Sequence, residues 1–316
     1  MKYALPLLVV LVLGCLTGGG SVIQKATAIE IVSFTPSLPQ VTENDRVDLS
    51  LIVQNSGAFR AENVQADLFL HGNFKPYPGT GTTYISDKVS IRGPNIELKS
   101  QGETHEFVWK LQAPDIVEGE MQYPFTFSTD ISYDYTSSAW KEFPILKQSR
   151  VNELRASSQQ LPSSKSGVQP APLMMDIKVY EPVVYSADTN TVTLTVLLEK
   201  VDQGFVQMGA DPSIGSECGK SRTHCVDSVT LVIPSELTFP TAAEIASDPT
   251  LCDFTGTDAT RRSKANVNLI DGTYAQLKCT LKMKPLATDE VFPLVKVDAA
   301  YTYHVRGSTS VLVVSR

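Results

Sequence analysis

Asp45-Arg46-Val47-Asp48-Leu49-Ser50-Leu51-Ile52-Val53-Gln54, then the turn Asn55-Ser56-Gly57, then Val64-Gln65-Ala66-Asp67-Leu68-Phe69-Leu70, is the stretch that decides the fold. Apolar and polar residues alternate with period two in both runs, and Asn-Ser-Gly marks the loop between them. A strand patterned this way buries one face and wets the other, so the stretch reads as half of a β-sandwich. Val192, Leu194, Val196 and Leu198 echo Val47, Leu49, Leu51 and Val53. One β unit is used twice.

Working outward, residues 29–147 make a first module. Ile29, Ile31 and Phe34 open it, and Pro36 and Pro39 interrupt that strand. Further alternating runs cover 84–91, 96–98, 107–111, 125–135 and 139–146. Short strands at this density, separated by turn signals, predict an immunoglobulin-like sandwich. Residues 148–172 change character: Ser157-Ser158-Gln159-Gln160-Leu161-Pro162-Ser163-Ser164 buries too little apolar surface to offset its ordering entropy. The stretch reads as an interdomain linker, with a short helix compatible with 151–156. Residues 173–316 make the second module. The spacing from Val47 to Val192 is 145 residues and from Val64 to Val229 is 165, so about twenty residues around 204–223 are inserted after the second strand. Ala300-Tyr301-Thr302-Tyr303 parallels Ser132-Tyr133-Asp134-Tyr135, and 311–314 reads as a closing strand. The expected class is all-β, two tandem sandwiches.

A formal net charge of -7 and the lack of a basic cluster exclude a nucleic-acid partner, whose phosphates require a concentrated cationic surface. With 42% hydrophobic and 19% charged residues, the chain is too apolar to be disordered.

Residues 1–28 bear on location. Met1-Lys2 is a positive start, and 3–13 form an apolar core of secretory-signal length, too short to span a bilayer comfortably. Leu13-Gly14-Cys15 then resembles a lipobox, in which Cys15 is lipidated and becomes the mature N-terminus. Thr17-Gly18-Gly19-Gly20-Ser21 follows as a tether. Ala26-Thr27-Ala28 offers an alternative cleavage site that would release a secreted protein, and an uncleaved anchor is a third reading.

The pattern Val41, Asn44-Asp45-x-Val47-x-Leu49-x-Leu51-x-Val53-x-Asn55-x-Gly57, then Ala61-x-x-Val64-x-x-x-Leu68, resembles the cell-adhesion-related domain (CARDB) and archaeal S-layer-associated proteins. The resemblance implies an extracytoplasmic immunoglobulin-like fold, often in tandem, used for surface display or adhesion. It covers the first module well and the second only in strand pattern, because Glu199-Lys200-Val201-Asp202-Gln203-Gly204 replaces the Asn-x-Gly turn. It carries no catalytic residues.

Cys218, Cys225, Cys252 and Cys279 all fall in the second module. In an exported chain they are expected to pair as Cys218 with Cys225 and Cys252 with Cys279. The alternative, a metal site from Cys218, His224, Cys225 and Asp227, lacks the tight C-x-x-C spacing of zinc ligands. Asp248, Asp253 and Asp258 do not build a glycine-centred calcium loop and read as solvated. No metal or cofactor is expected. His71, His105, His224 and His304 lie in no catalytic signature, Gly-x-Ser-x-Gly is absent, and no Asn-x-Ser/Thr sequon occurs. Tyr301 and Tyr303, which share one strand face, are the candidate ligand-stacking residues.

The expected function is a non-enzymatic cell-surface lipoprotein acting as a structural, adhesion or protein-interaction module. Its partners would be the membrane, through the lipid, and envelope proteins or surface glycans. The alternative is a carbohydrate- or substrate-binding lipoprotein serving an envelope enzyme or transporter.

Overall fold

In Arg46–Asn55 every second side chain points inward, and Val47, Leu49, Leu51 and Val53 are fully buried. The computed structural model describes residues 26–77, 84–116, 121–186, 188, 190–207 and 224–316. In chain order the first half contains β1 (Ile29–Pro36), β2 (Gln40–Thr42), β3 (Arg46–Asn55), β4 (Ala61–Leu70), β5 (Lys75–Pro76), β6 (Val89–Ile91), β7 (Thr104–Gln112), β8 (Gln122–Glu142) and β9 (Ile145–Lys147). Helix α1 (Gln148–Ala156) and β10 (Lys165–Val168) connect the halves. The second half contains β11 (Leu173–Val179), β12 (Val183–Tyr185), β13 (Thr191–Lys200), β14 (Phe205–Gln207), β15 (Cys225–Val232), β16 (Leu237–Thr238), α2 (Ala242–Ser247), β17 (Arg261–Asn268), β18 (Tyr274–Met283), β19 (Glu290–Val291) and β20 (Leu294–Val314).

The fold is all-β, built of two immunoglobulin-like sandwiches with corresponding four-stranded sheets. Each has its own four-stranded sheet, β1-β3-β7-β5 in the first and β11-β13-β18-β16 in the second. Both pack against one nine-stranded sheet whose main path is β17-β15-β20-β8-β4-β6. Its spine is the antiparallel pair of β8 and β20, each 21 residues long, in unbroken register from Gln122 opposite Val314 to Glu142 opposite Leu294. At about 3.4 Å per residue that ladder runs roughly 70 Å.

The spine makes the modules mutually dependent. One part of β8 lies beside β4 of its own module, while β20 lies beside β15 of its own. The far end of each long strand then completes the other module's sheet. Strand β2 of the first module runs parallel to residues 312–314 at the end of β20, and β12 of the second runs parallel to β9, just beyond β8. Each sandwich therefore takes its closing strand from its neighbour. A single hydrophobic core extends through both.

Three expectations change. The runs 125–135 and 139–146 were expected as separate strands, as were 300–303 and 311–314, but each pair lies within or along one long strand. Thr136-Ser137-Ser138 keeps the alternation going, with Ser137 buried, and contains nothing that forces a turn. The modules at 29–147 and 173–316 are consequently not self-contained. Residues 148–172 are not a spacer either: Val151 and Leu154 anchor α1 by burial, and β10 satisfies its backbone on the edge of β8. A segment too polar to make a core can still order by adding to a sheet edge.

Candidate functional site

Along β8 and β20, odd-numbered residues face the core, which brings four tyrosines together at the middle of the spine. Tyr133 lies opposite Tyr303 and Tyr135 opposite Tyr301. Their rings meet edge-on or tilted, with centroids 5.8–6.3 Å apart. The arrangement is nearly two-fold. Tyr133 Oη accepts from the Ile29 N–H (3.4 Å), and Tyr301 Oη accepts from the equivalent Leu173 N–H (3.3 Å). Tyr135 Oη accepts from the Phe59 N–H at 2.9 Å. Tyr301 Oη also shares a hydrogen bond with Ser137 Oγ at 2.8 Å. Among the described residues Tyr303 Oη has no partner in full hydrogen-bonding geometry, its nearest backbone donor being Gly204. Burial pushes all four phenols above their ordinary range, Tyr135 to about 12.

Tyr301 and Tyr303 are 1% and 0% exposed, so they cannot stack on a ligand; this corrects the expectation from sequence. The shared face was read correctly, but it lies inside the core, against Leu173, Gly204 and the tyrosines of β8. Trp109 is buried too, whereas Trp140 lies on the opposite, outer face.

The even-numbered residues of β8 and β20 form that outer face, and where the modules join they border a cleft. Thr27 and residues 29–31 of the first module, the loop 201–205 and residues 304–306 of β20 line an open cleft of about 840 Å³. That volume lies within the roughly 300–1,000 Å³ typical of ligand sites, which favour domain junctions. Lys200 Nζ holds the loop in place by donating to the carbonyls of Asp202 and Gly204 at 2.8 and 2.9 Å. Gly204 is required there, since a Cβ would come 2.2 Å from the His304 carbonyl oxygen and 2.4 Å from the Tyr303 ring.

The Phe205 ring stacks on the His304 imidazole, with centroids 4.7 Å apart. His304 Nδ1 lies 3.0 Å from Asp130 Oδ2, so the pair ties β20 to β8. The Arg306 guanidinium sits over Phe205 (4.9 Å) and Phe69 (5.5 Å), with its Nε 3.9 Å from Asp130 Oδ1. Stacked between two rings and 62% exposed, the Arg306 side chain presents its N–H edge to solvent, an arrangement suited to a carboxylate, phosphate or sugar hydroxyl. Asp67 stands opposite Asp130 in the β4–β8 register, and burial together with that neighbouring charge raises its carboxyl above the usual range.

This cluster was missed in the sequence because His304 lies 174 residues from Asp130, and Arg306 meets Phe69 from the other half of the chain. The available signal was parity: Asp130 and Ser132, like His304 and Arg306, occupy the phase opposite the tyrosines.

Cys252 and Cys279 are joined by a disulfide, and Cys225 is disulfide-bonded, which removes a thiolate from the metal alternative. Cys218 and Cys15 lie outside the described residues. Among the described residues no group of three or more His, Cys, Asp or Glu is placed to hold a metal. The three aspartates considered for calcium bind backbone N–H groups instead: Asp248 that of Thr250, Asp253 that of Lys278, and Asp258 those of Thr260 and Arg261. The Thr250 hydroxyl and N–H hold the Asp248 carboxyl below the ordinary range, and the Thr260 N–H and hydroxyl do the same for Asp258.

No protein-family model and no curated protein matches the chain. Among solved structures, red sea bream transglutaminase aligns at 13% identity and TM-score 0.18, over 90% of this chain and 31% of that one, so the chain spans about a third of its length. The collagen-binding domain of Erysipelothrix rhusiopathiae surface protein RspB aligns at 8% identity and TM-score 0.14, covering 92% and 89%. The collagen adhesin from S. aureus aligns at 6% and 0.13, covering 90% and 92%. Similarities this low carry no argument about function.

Proposed function

We propose that the chain is a non-enzymatic, lipid-anchored cell-surface protein whose fused sandwiches serve as a structural, adhesion or protein-interaction module of the cell envelope. The observation that carries this reading is the disulfide chemistry of the second sandwich, Cys252 with Cys279 and the bonded Cys225. Disulfides form and persist in oxidising compartments, which agrees with the signal-like start and lipobox cysteine. No helix among the described residues is long and apolar enough to cross a membrane. In this reading Cys15 carries the anchor, helped by a second acyl chain or protein contacts, since one chain binds only marginally. The resemblance to cell-adhesion-related and S-layer-associated domains points the same way.

A second reading, capture of a carbohydrate or other small substrate for an envelope enzyme or transporter, is favoured by the cleft between residues 27–31, 201–205 and 304–306. The site would be Arg306 and Phe205, not the buried tyrosines.

Fractionation tests the anchor. The protein is expected to sediment with membranes and to carry lipid at Cys15 by mass spectrometry, and Cys15→Ser should release it. A soluble wild-type chain would contradict anchoring. Cross-linking on intact cells should capture envelope proteins. Glycan binding lost in Arg306→Ala would instead support the second reading.

A further inference from the structure

Tyr133 and Tyr301 hold equivalent places in the two modules, each accepting from the first N–H of an entry strand, Ile29 in one and Leu173 in the other. By the same count Trp140 on β8 corresponds to Ser308 on β20, and both lie on the outer face. The second module thus carries an indole, 39% exposed, where the first carries a hydroxyl.

That ring is positioned by its neighbour. Trp140 lies opposite Gly167 of β10, and a Cβ at 167 would come 2.5 Å from the indole Nε1 and 2.6 Å from Cε2. The glycine lets the indole settle against the β10 backbone, and the ring then borders a cleft of about 350 Å³ between β10 and β11. The volume is within the range of small-ligand sites. Val168 and Met174 add apolar surface to its two sides. On the outer face of β11 and β13 stand Asp176, Lys178 and Glu199, all exposed. Glu199 lies opposite Met174 and Asp176 opposite Leu197, so the two carboxylates occupy neighbouring same-face pairs of the ladder.

The chemistry of these walls selects a ligand. A carboxylate only accepts hydrogen bonds and an ammonium only donates them. An ion of either sign would be attracted by one kind of group and repelled by the other. A neutral ring with hydroxyls on its rim suits both, since each hydroxyl can donate to Asp176 or Glu199 and accept from Lys178 in charge-assisted bonds. The C–H groups on such a ring's face cover the apolar indole. We propose that this cleft binds a neutral sugar, stacked on Trp140 and held through its hydroxyls by Asp176, Glu199 and Lys178. The site belongs to the second module and shares only Val201 with the lining of the junction cleft beside Arg306. It does not depend on lipidation.

Tryptophan fluorescence of the full chain tests this. Trp109 is buried, with its indole N–H on the Tyr84 carbonyl, so of the two tryptophans Trp140 is the one a small ligand reaches. Titration with N,N′-diacetylchitobiose, lactose and maltose, one at a time, should give a saturable emission change with at least one of them. Trp140→Phe should abolish the response. Asp176→Asn/Glu199→Gln, which alters only exposed groups, should weaken binding roughly ten-fold or more, because charge-assisted bonds are lost. Arg306→Ala should bind as the wild type does. No saturable change with any of the three sugars overturns the proposal, and so does equal affinity in the Asp176→Asn/Glu199→Gln chain. Saturation by N-acetylarginine amide or acetate in place of sugar makes the cleft an ion site and overturns it too. Sugar binding lost in Arg306→Ala but kept in Asp176→Asn/Glu199→Gln supports the junction cleft and overturns this site.

Discussion

Tyr301 and Tyr303 sit two residues apart on one strand, equally buried, yet their hydroxyls have different tasks. Tyr301 Oη serves both Ser137 and the Leu173 N–H, whereas among the described residues Tyr303 Oη has no partner in full hydrogen-bonding geometry, only the nearby Gly204 backbone. Tyr301→Phe should therefore cost about 1–3 kcal/mol in urea unfolding, because a buried N–H loses its acceptor. Tyr303→Phe should be neutral or stabilising, since it removes an unpaired polar atom. Equal losses would contradict this assignment. The four phenols also set an alkaline limit. Their folded pKa values lie above the ordinary 10, so unfolding releases protons once pH exceeds 10. Stability from this source is intact below pH 10 and falls as pH rises from there toward the folded values, by up to about 1.4 kcal/mol per pH unit for each tyrosine. Urea midpoints measured between pH 9 and 11 should bend downward near 10, in step with tyrosinate absorbance. A flat profile would contradict burial of the cluster.

Strands could be read from the sequence where local alternation decides, and could not where a distant partner does. β3 and β13 follow directly from Val47-x-Leu49-x-Leu51-x-Val53 and Val192-x-Leu194-x-Val196-x-Leu198, since each buries its own apolar face. The continuity of β8 and β20 was hidden because alternation reports which face a residue occupies and never which strand lies beside it. The cleft was hidden for the same reason: Asp130, His304 and Arg306 meet only after β8 and β20 pair. The Cys252–Cys279 bond, with a separation of 27 residues, fastens the loop ahead of β17 to β18. On the chain-entropy model it contributes about 3.5 kcal/mol, so Cys252→Ala/Cys279→Ala should lower the urea midpoint accordingly without changing the tyrosine cluster. An unchanged midpoint would place the loop outside the cooperative unit.

At the scale of the whole molecule, two sandwiches that lend each other a closing strand should behave as one. Calorimetry should give a single unfolding transition, since neither core is complete until β8 and β20 pair. Two separated transitions would mean independent domains joined by a spacer, the arrangement the polar run at 157–164 suggested. The shared spine fixes the angle between the modules and keeps the junction cleft in one shape. The most direct test is a cross-link at the spine. Thr136 and Ala300 lie opposite each other, both exposed, one from each half. With Thr136→Cys and Ala300→Cys, a disulfide within one chain is predicted, because directly opposed antiparallel residues have Cα atoms about 4.5–5.5 Å apart, within disulfide reach. Free thiols, or bridges found only between chains, would contradict the shared spine.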